Sequence, residues 1–357
     1  MPANPPEVPA RAAGPGDAAG KPDAPVQPGQ PVTVRRRLTP ARLLERYVVI
    51  LALIAIVVVF SIVKSATFPT TGNIDSILTT QAVLLVVSLS LTVVLSAGDL
   101  DLSIGGMIGF SAIWIADLMS VHGMAWPLAL ALSLLVAVTV GAVNGILIVG
   151  VRVNPLISTL AMGTLLDGLG SAVSNASTIG DLPVGFTNFF GDRWLGIGLP
   201  FWFALILLAV LAFVFYQLPI GRHLYFTGEG RESARLIGIR VTRVRAIALI
   251  VSAVGAWFAG VILLGQTGAA QAGVGDPYVL PAYAAAFLGA ATILPGRFNP
   301  IGSLVGVLLL AVGTDGLQLF GLATWVTQVF DGGILIVAVA AAALLGRARA
   351  RECRRVI

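Results

Sequence analysis

Between Lys64 and Arg152 the sequence has no lysine or arginine, and this stretch carries three apolar runs, residues 77–97, 102–119 and 127–149. A helix of about 20 apolar residues crosses the hydrocarbon of a bilayer. Runs of that length without a charged face cannot form the surface of a water-soluble globule. The whole chain agrees: of 357 residues 57% are hydrophobic and 11% charged, against about 25% charged in a soluble domain. Hydrocarbon offers the backbone no partners, so each span must satisfy its own hydrogen bonds. The fold class expected is therefore all-α, a polytopic membrane protein.

The remaining apolar runs extend this to roughly ten transmembrane helices. Residues 1–34 are rich in Pro, Ala and Gly and poor in large apolar side chains, so they read as a disordered cytoplasmic tail and not as a signal peptide. Arg35, Arg36, Arg37, Arg42 and Arg46 precede the first run, residues 47–63. Basic residues stay inside, which places the N-terminus in the cytoplasm. Residues 67–76 read as an outer loop, and parity alone returns Arg152 to the inside. Further spans are expected at 156–174, 199–216, 246–266, 279–294, 301–312 and 334–345, with turn-rich outer segments at 175–197 and 269–277. The membrane domain covers 35–346. Residues 347–357, with Arg347, Arg349, Arg351, Arg354 and Arg355, form a basic cytoplasmic C-terminus.

One basic island, residues 221–245, interrupts the apolar second half with Arg222, Arg231, Arg235, Arg240, Arg243 and Arg245. Its charge marks a cytoplasmic loop. Within it the residues spell a short helix: Gly230 ends the preceding turn, Glu232 suits a helix N-terminus, Arg235 a C-terminus, and Gly238 a left-handed stop. Ala234, Leu236, Ile237 and Ile239 give this helix an apolar side outside the lipid. It reads either as a docking knob for another protein or as a helix lying on lipid headgroups.

Two carboxylates, Asp99 and Asp101, fall between the second and third spans with no basic residue nearby in sequence. A charge at the centre of a span costs about 2.5–3.5 kcal/mol. Either aspartate is expected to cap the third span, or the segment is a broken helix lining a transport path. Ser103, Asn154, Asp167 and Gln266 are further candidates for such a path. Helix–helix hydrogen bonding accounts for Asp167 and Gln266 equally well. The spacings Gly105-Gly106-x-x-Gly109, Gly141-x-x-x-Gly145 and Gly302-x-x-x-Gly306 let helix backbones approach closely, within one bundle or across a dimer seam.

The net charge of +5 resides in these topological arginines and gives no reason to expect nucleic-acid binding. A single cysteine, Cys353, and two separated histidines offer no metal site, and no cofactor is expected. The chain has no phosphate-binding G-x-x-x-x-G-K-[ST] loop, so any ATP hydrolysis must belong to another subunit. No catalytic constellation stands out, and the chain reads as a transporter and not an enzyme.

The island also resembles a known family. ABC-importer permeases of the ribose and monosaccharide type carry a pattern close to G-R-x-x-Y-x-x-G-x-N-x-x-A-A-x-L-x-G-I-x-V. Gly221, Arg222, Tyr225, Gly228, Ala234, Leu236, Gly238, Ile239 and Val241 match it. Gly230 stands for the usual Asn and Ser233 for a frequent Ala. The break is similar to the family's G-G-I-D-L-S-V-G through Gly98, Asp101, Leu102, Ser103 and Gly105, with Asp99 in place of the second Gly. Asn154 and the residues after it resemble P-F-I-A-T-L. Residues 277–290 resemble G-Y-E-L-D-A-I-A-A-V-V-L-G-G, with Val279 and Pro281 where the family has acids.

The resemblance covers roughly residues 77–343. It implies a permease subunit translocating a small polar solute, a monosaccharide or polyol. It implies ATPase subunits as partners, docked on Gly228, Ser233, Ala234, Arg235, Leu236, Ile237 and Gly238, with a second permease chain and an extracytoplasmic solute-binding protein. The setting implied is a bacterial inner membrane with both termini cytoplasmic. Rival readings are nucleoside or branched-chain amino-acid permeases of the same superfamily, an ion-coupled carrier using Asp99 and Asp101, and a structural scaffold.

Overall fold

The computed structural model describes residues 40–354, with side chains over 47–340 apart from Thr324. The tail expected over 1–34 lies outside the described residues. So do the side chains of the basic C-terminus.

The described chain is helical almost throughout. Helix α1 spans Pro40–Val63, and α2 (Thr71–Thr80) runs into α3 (Ala82–Ser96) through a 42° bend. Helix α4 (Ile104–Ala116) ends in a π-turn to Val121, and α5 (Trp126–Gly145) in another to Gly150. Then follow α6 (Pro155–Val173), α7 (Val184–Gly191), α8 (Leu199–Gln217), α9 (Pro219–Glu229), α10 (Arg231–Leu236) and α11 (Val241–Thr267). Helices α12 (Asp276–Ala291), α13 (Pro300–Leu319) and α14 (Thr324–Arg354) complete the chain.

Among the described residues six helices are long and apolar enough to cross a membrane, or seven with the bent α2–α3 pair taken as one span. The expectation of ten spans relies on three shorter apolar segments as well: residues 47–63, α12, and residues 325–340 of α14.

Several boundaries differ from the sequence reading. Residues 71–76, expected in the outer loop, are helical because Thr70 caps α2 by accepting from the Asn73 N–H. The outer segment 175–197 contains α7, whose Phe186 and Phe190 pack inward, and a two-residue antiparallel hairpin, Arg193–Trp194 with Ile197–Gly198. The connection 268–275 folds back onto α4, where Gly275 lies against the backbone of Gly105.

Helices α3, α4, α11 and α12 form the core, and α3 is buried along its whole length. Small residues permit that density, and their contacts are within the chain. Gly106 meets Gly163, Gly141 meets Ile250, and Gly306 meets Ala285. The three glycine spacings therefore serve packing of one bundle.

Candidate functional site: a clamped break and a coupling segment

The chain unwinds between α3 and α4. Gly98 adopts φ +77°, a left-handed conformation natural to glycine, and no helix resumes until Ile104. The helix is broken over this stretch. Helix α4 begins at Ile104, and Ser103, just before it, makes no side-chain cap bond of its own. Asp101 instead accepts from the Ser103 N–H at 3.0 Å and its hydroxyl at 2.5 Å, a local turn ahead of the helix.

Asp101 and Ser103 are buried, and neighbouring helices bind the backbone of the one and the hydroxyl of the other. Tyr283 of α12 accepts from the Asp101 N–H and donates to the Asp101 carbonyl, both at 3.0 Å. Asn144 of α5 donates to the Ser103 hydroxyl at 3.0 Å, and Thr159 of α6 accepts from the Leu102 N–H at 3.0 Å. The break is thus held by α5, α6 and α12, and its orphan backbone groups find side-chain partners inside the bundle.

Asp99 points elsewhere. Its carboxylate is fully buried and takes paired bonds from Arg245 of α11, Nε and Nη2 each at 2.7 Å. Arg231, the first residue of α10, adds a bond at 3.1 Å and another to the Gly98 carbonyl at 3.0 Å. Paired Arg–carboxylate geometry is both strong and directional. Asp99 is therefore tied to α10 and α11.

The loop itself is the expected short helix. Gly230 is extended between α9 and α10, and Gly238 at φ +85° stops α10. Its N–H reaches the Arg235 carbonyl, and that of Ile239 reaches the Ala234 carbonyl, the paired bonds of a Schellman stop. Leu236 and Ile237 stand 89% and 63% exposed, with Ser233, Arg235 and Gly238 exposed around them. Ala234 departs from expectation: at 1% exposure it packs inward against the permease body.

Behind the loop, Gly228 lies on the backbone of Ser96 and Gly98, leaving no room for a Cβ. The turn at residues 295–297 joins the same end: Arg297 pairs with Glu229 at 2.8 Å, and Tyr225 donates to the Phe298 carbonyl at 2.8 Å. Burial raises the Tyr225 phenol well above its ordinary pKa, so it remains a donor.

The other path candidates scatter. Asn154 is the N-cap of α6, accepting from the Leu156 N–H at 2.9 Å, and that role accounts for it. Asp167 is half-buried on α6, near Gly109, with Asp276 as its charged neighbour. Gln266 donates to the Thr79 carbonyl at 2.6 Å and lines a cavity of about 420 Å³ at the end of the bundle opposite α10.

Asp75, Arg193, Thr79 and Tyr278 share that wall, with Asp75 fixed by Arg193 at 2.8 Å and by the Gly198 N–H at 2.9 Å. Sequence reasoning missed Asn144, Tyr283, Arg245 and Asp75 as site residues. Only Asn144 carried a local signal, a lone amide inside a long apolar run.

A bundle of apolar helices with a polar break inside and an exposed short helix at one end defines a polytopic membrane protein. Residues 73–339 match the family model described as branched-chain amino acid transport system / permease component, and the chain belongs to that family. It is 29% identical to the ribose import permease protein RbsC of Escherichia coli over 297 residues, 81% of this chain and 91% of that protein. It is 28% identical to the D-allose transport system permease protein AlsC of E. coli, covering 85% of this chain and 93% of the relative. With the autoinducer 2 import system permease protein LsrD of Salmonella typhimurium it shares 31% over 261 residues, 71% and 78% of the two chains. No solved structure matches it. The chain is a multi-pass inner-membrane transporter subunit of the ribose-type ABC permeases, not an enzyme.

Proposed function

We propose that the chain translocates a small polyhydroxylated solute, a monosaccharide or polyol, in an importer powered by separate ATPase subunits. The observation that carries this is the α10 knob. Leu236 and Ile237 are large apolar side chains held in water by a rigid stop, on a loop whose arginines mark the cytoplasm. Exposed apolar surface rimmed by charge fits a protein groove, and the ATPase is the partner whose work the permease requires. Gly228, behind the knob, sets its seat against the body.

Three further observations support the assembly. The cavity at the opposite end falls within the range of about 300–1,000 Å³ found for small-molecule sites, and its Asp75, Gln266, Thr79 and Tyr278 offer hydroxyl-binding groups. It is the natural place for a binding protein to release its solute. Asp167 and Asp276 lie near an outer face of α6 and α12, where hydrocarbon is costly for a carboxylate. A second permease chain over that face would enclose them beside the path. The relatives import ribose, allose and autoinducer 2, which are small oxygen-rich solutes. Both termini are cytoplasmic in this reading.

The test is co-purification. Leu236→Asp should insert normally and lose its ATPase subunits, and with them ATP-driven uptake across a panel of monosaccharides and polyols. Unchanged co-purification and uptake would refute docking at α10.

A further inference from the structure

Asp99 joins three parts of the molecule that are otherwise separate. Its backbone belongs to the unwound stretch between α3 and α4. Its two oxygens are shared between Arg245, at the start of α11, and Arg231, at the start of α10. The two arginines differ in setting. Arg245 has a side chain 11% exposed and makes the paired contact, whereas that of Arg231 is 45% exposed and makes single bonds to Asp99 and to the Gly98 carbonyl.

A buried ion pair adds little net stability over apolar packing of the same shape, because desolvation offsets attraction. Stability alone therefore does not account for a carboxylate enclosed here. What the arrangement supplies is fixed direction between the break and the coupling segment.

The break leads onward. Within four residues of Asp99, the Asp101 backbone is bound to Tyr283 of α12, the Leu102 N–H to Thr159 of α6 and the Ser103 hydroxyl to Asn144 of α5. Behind the ion pair, Gly228 abuts Gly98 backbone to backbone, so the coupling loop can push as well as pull. Packed contacts of this kind shift between discrete arrangements and do not deform smoothly.

We propose that Asp99, Arg231 and Arg245 form a latch that carries displacement of the α10 coupling segment into the 97–103 break, and through it to α5, α6 and α12. Arg245 is the fixed anchor. Arg231 is the moving link. Both are positioning residues, acting on the path through the backbone of the break. The inference rests on the ATPase-docking reading of α10 and adds to it the internal route by which that docking is felt.

The test uses the full complex, purified with its ATPase subunits and reconstituted in lipid, after Cys353→Ser. A spin label on Leu100→Cys reports the break, and a second preparation labelled at Glu232→Cys reports the coupling segment. ATP with vanadate should change the label's mobility at both positions. In Arg231→Met the ATPase subunits stay bound and ATP is still hydrolysed, the shift at Glu232→Cys persists, and the shift at Leu100→Cys is lost. Arg231→Lys, which keeps a charge and a donor, should restore a large part of it.

A full shift at Leu100→Cys in Arg231→Met overturns the latch, as does a break that never responds in the parent complex. A parent chain that binds no ATPase overturns the docking reading itself and the latch with it. Loss of bound ATPase in Arg231→Met alone would make Arg231 part of the docking surface, which also overturns the latch.

Discussion

The Arg245 guanidinium meets the Asp99 carboxylate through two parallel hydrogen bonds of 2.7 Å, across 146 positions of sequence and at a carboxylate with no solvent exposure. Removing one partner of a buried pair costs about 3–5 kcal/mol when the other charge is left alone, and here the single Arg231 bond to Asp99 offsets part of that. Arg245→Ala should therefore lower the melting temperature of the purified permease markedly. Asp99→Gly combined with Arg245→Ala should recover most of that loss, because the orphaned carboxylate is gone. A double variant no more stable than the single one would show that the pair is not what Arg245 contributes.

Ala234 and Leu236 are two residues apart and should respond to a charge in opposite ways. Ala234 is packed inside, so Ala234→Asp should destabilise the loop by several kcal/mol and reduce the amount of folded permease in the membrane. Leu236→Asp should leave that amount unchanged and affect the partner alone. Membrane levels measured by fluorescence-detected gel filtration separate the two outcomes.

Tyr283 satisfies the Asp101 backbone twice, as acceptor and as donor. Tyr283→Phe strands a buried N–H and a carbonyl, each worth about 1–3 kcal/mol when left unpaired. Thermal unfolding should shift down accordingly, with no change in ATPase binding. A melting curve matching the parent would mean that other groups satisfy the break.

Asp101→Asn keeps the oxygen that accepts from Ser103 and removes the charge. In an ATP-driven permease it should retain substantial uptake into proteoliposomes, dependent on ATP and indifferent to an ionophore. Collapse of accumulation at normal membrane levels, with uptake by the parent abolished by the ionophore, would instead favour an ion-coupled carrier.

Cys353 is the only thiol in the chain and lies beyond the last expected span. With both termini inside, a membrane-impermeant maleimide should label it in inverted vesicles and not in intact spheroplasts. Labelling from outside would contradict the proposed orientation.

Composition and local pattern were enough to establish the class of protein. Lipid penalises every unpaired backbone group and every exposed charge, so apolar runs and arginine placement read directly as helices and loops. The α10 segment was legible for the same local reason: Gly230, Glu232, Arg235 and Gly238 act within one turn of where they stand. Its facing was not, since whether Ala234 or Leu236 points outward depends on what α10 packs against.

The site needed the tertiary structure. Asp99 and Asp101 differ by two residues and look alike in sequence. One is drawn to arginines 132 and 146 positions away and the other into a network with Ser103, and Tyr283 binds its backbone across 182 positions. Inside a bundle with few polar atoms, a carboxylate goes to whichever donors the packing brings near. Sequence spacing carries no record of that choice, because it is made when α3, α10, α11 and α12 come together.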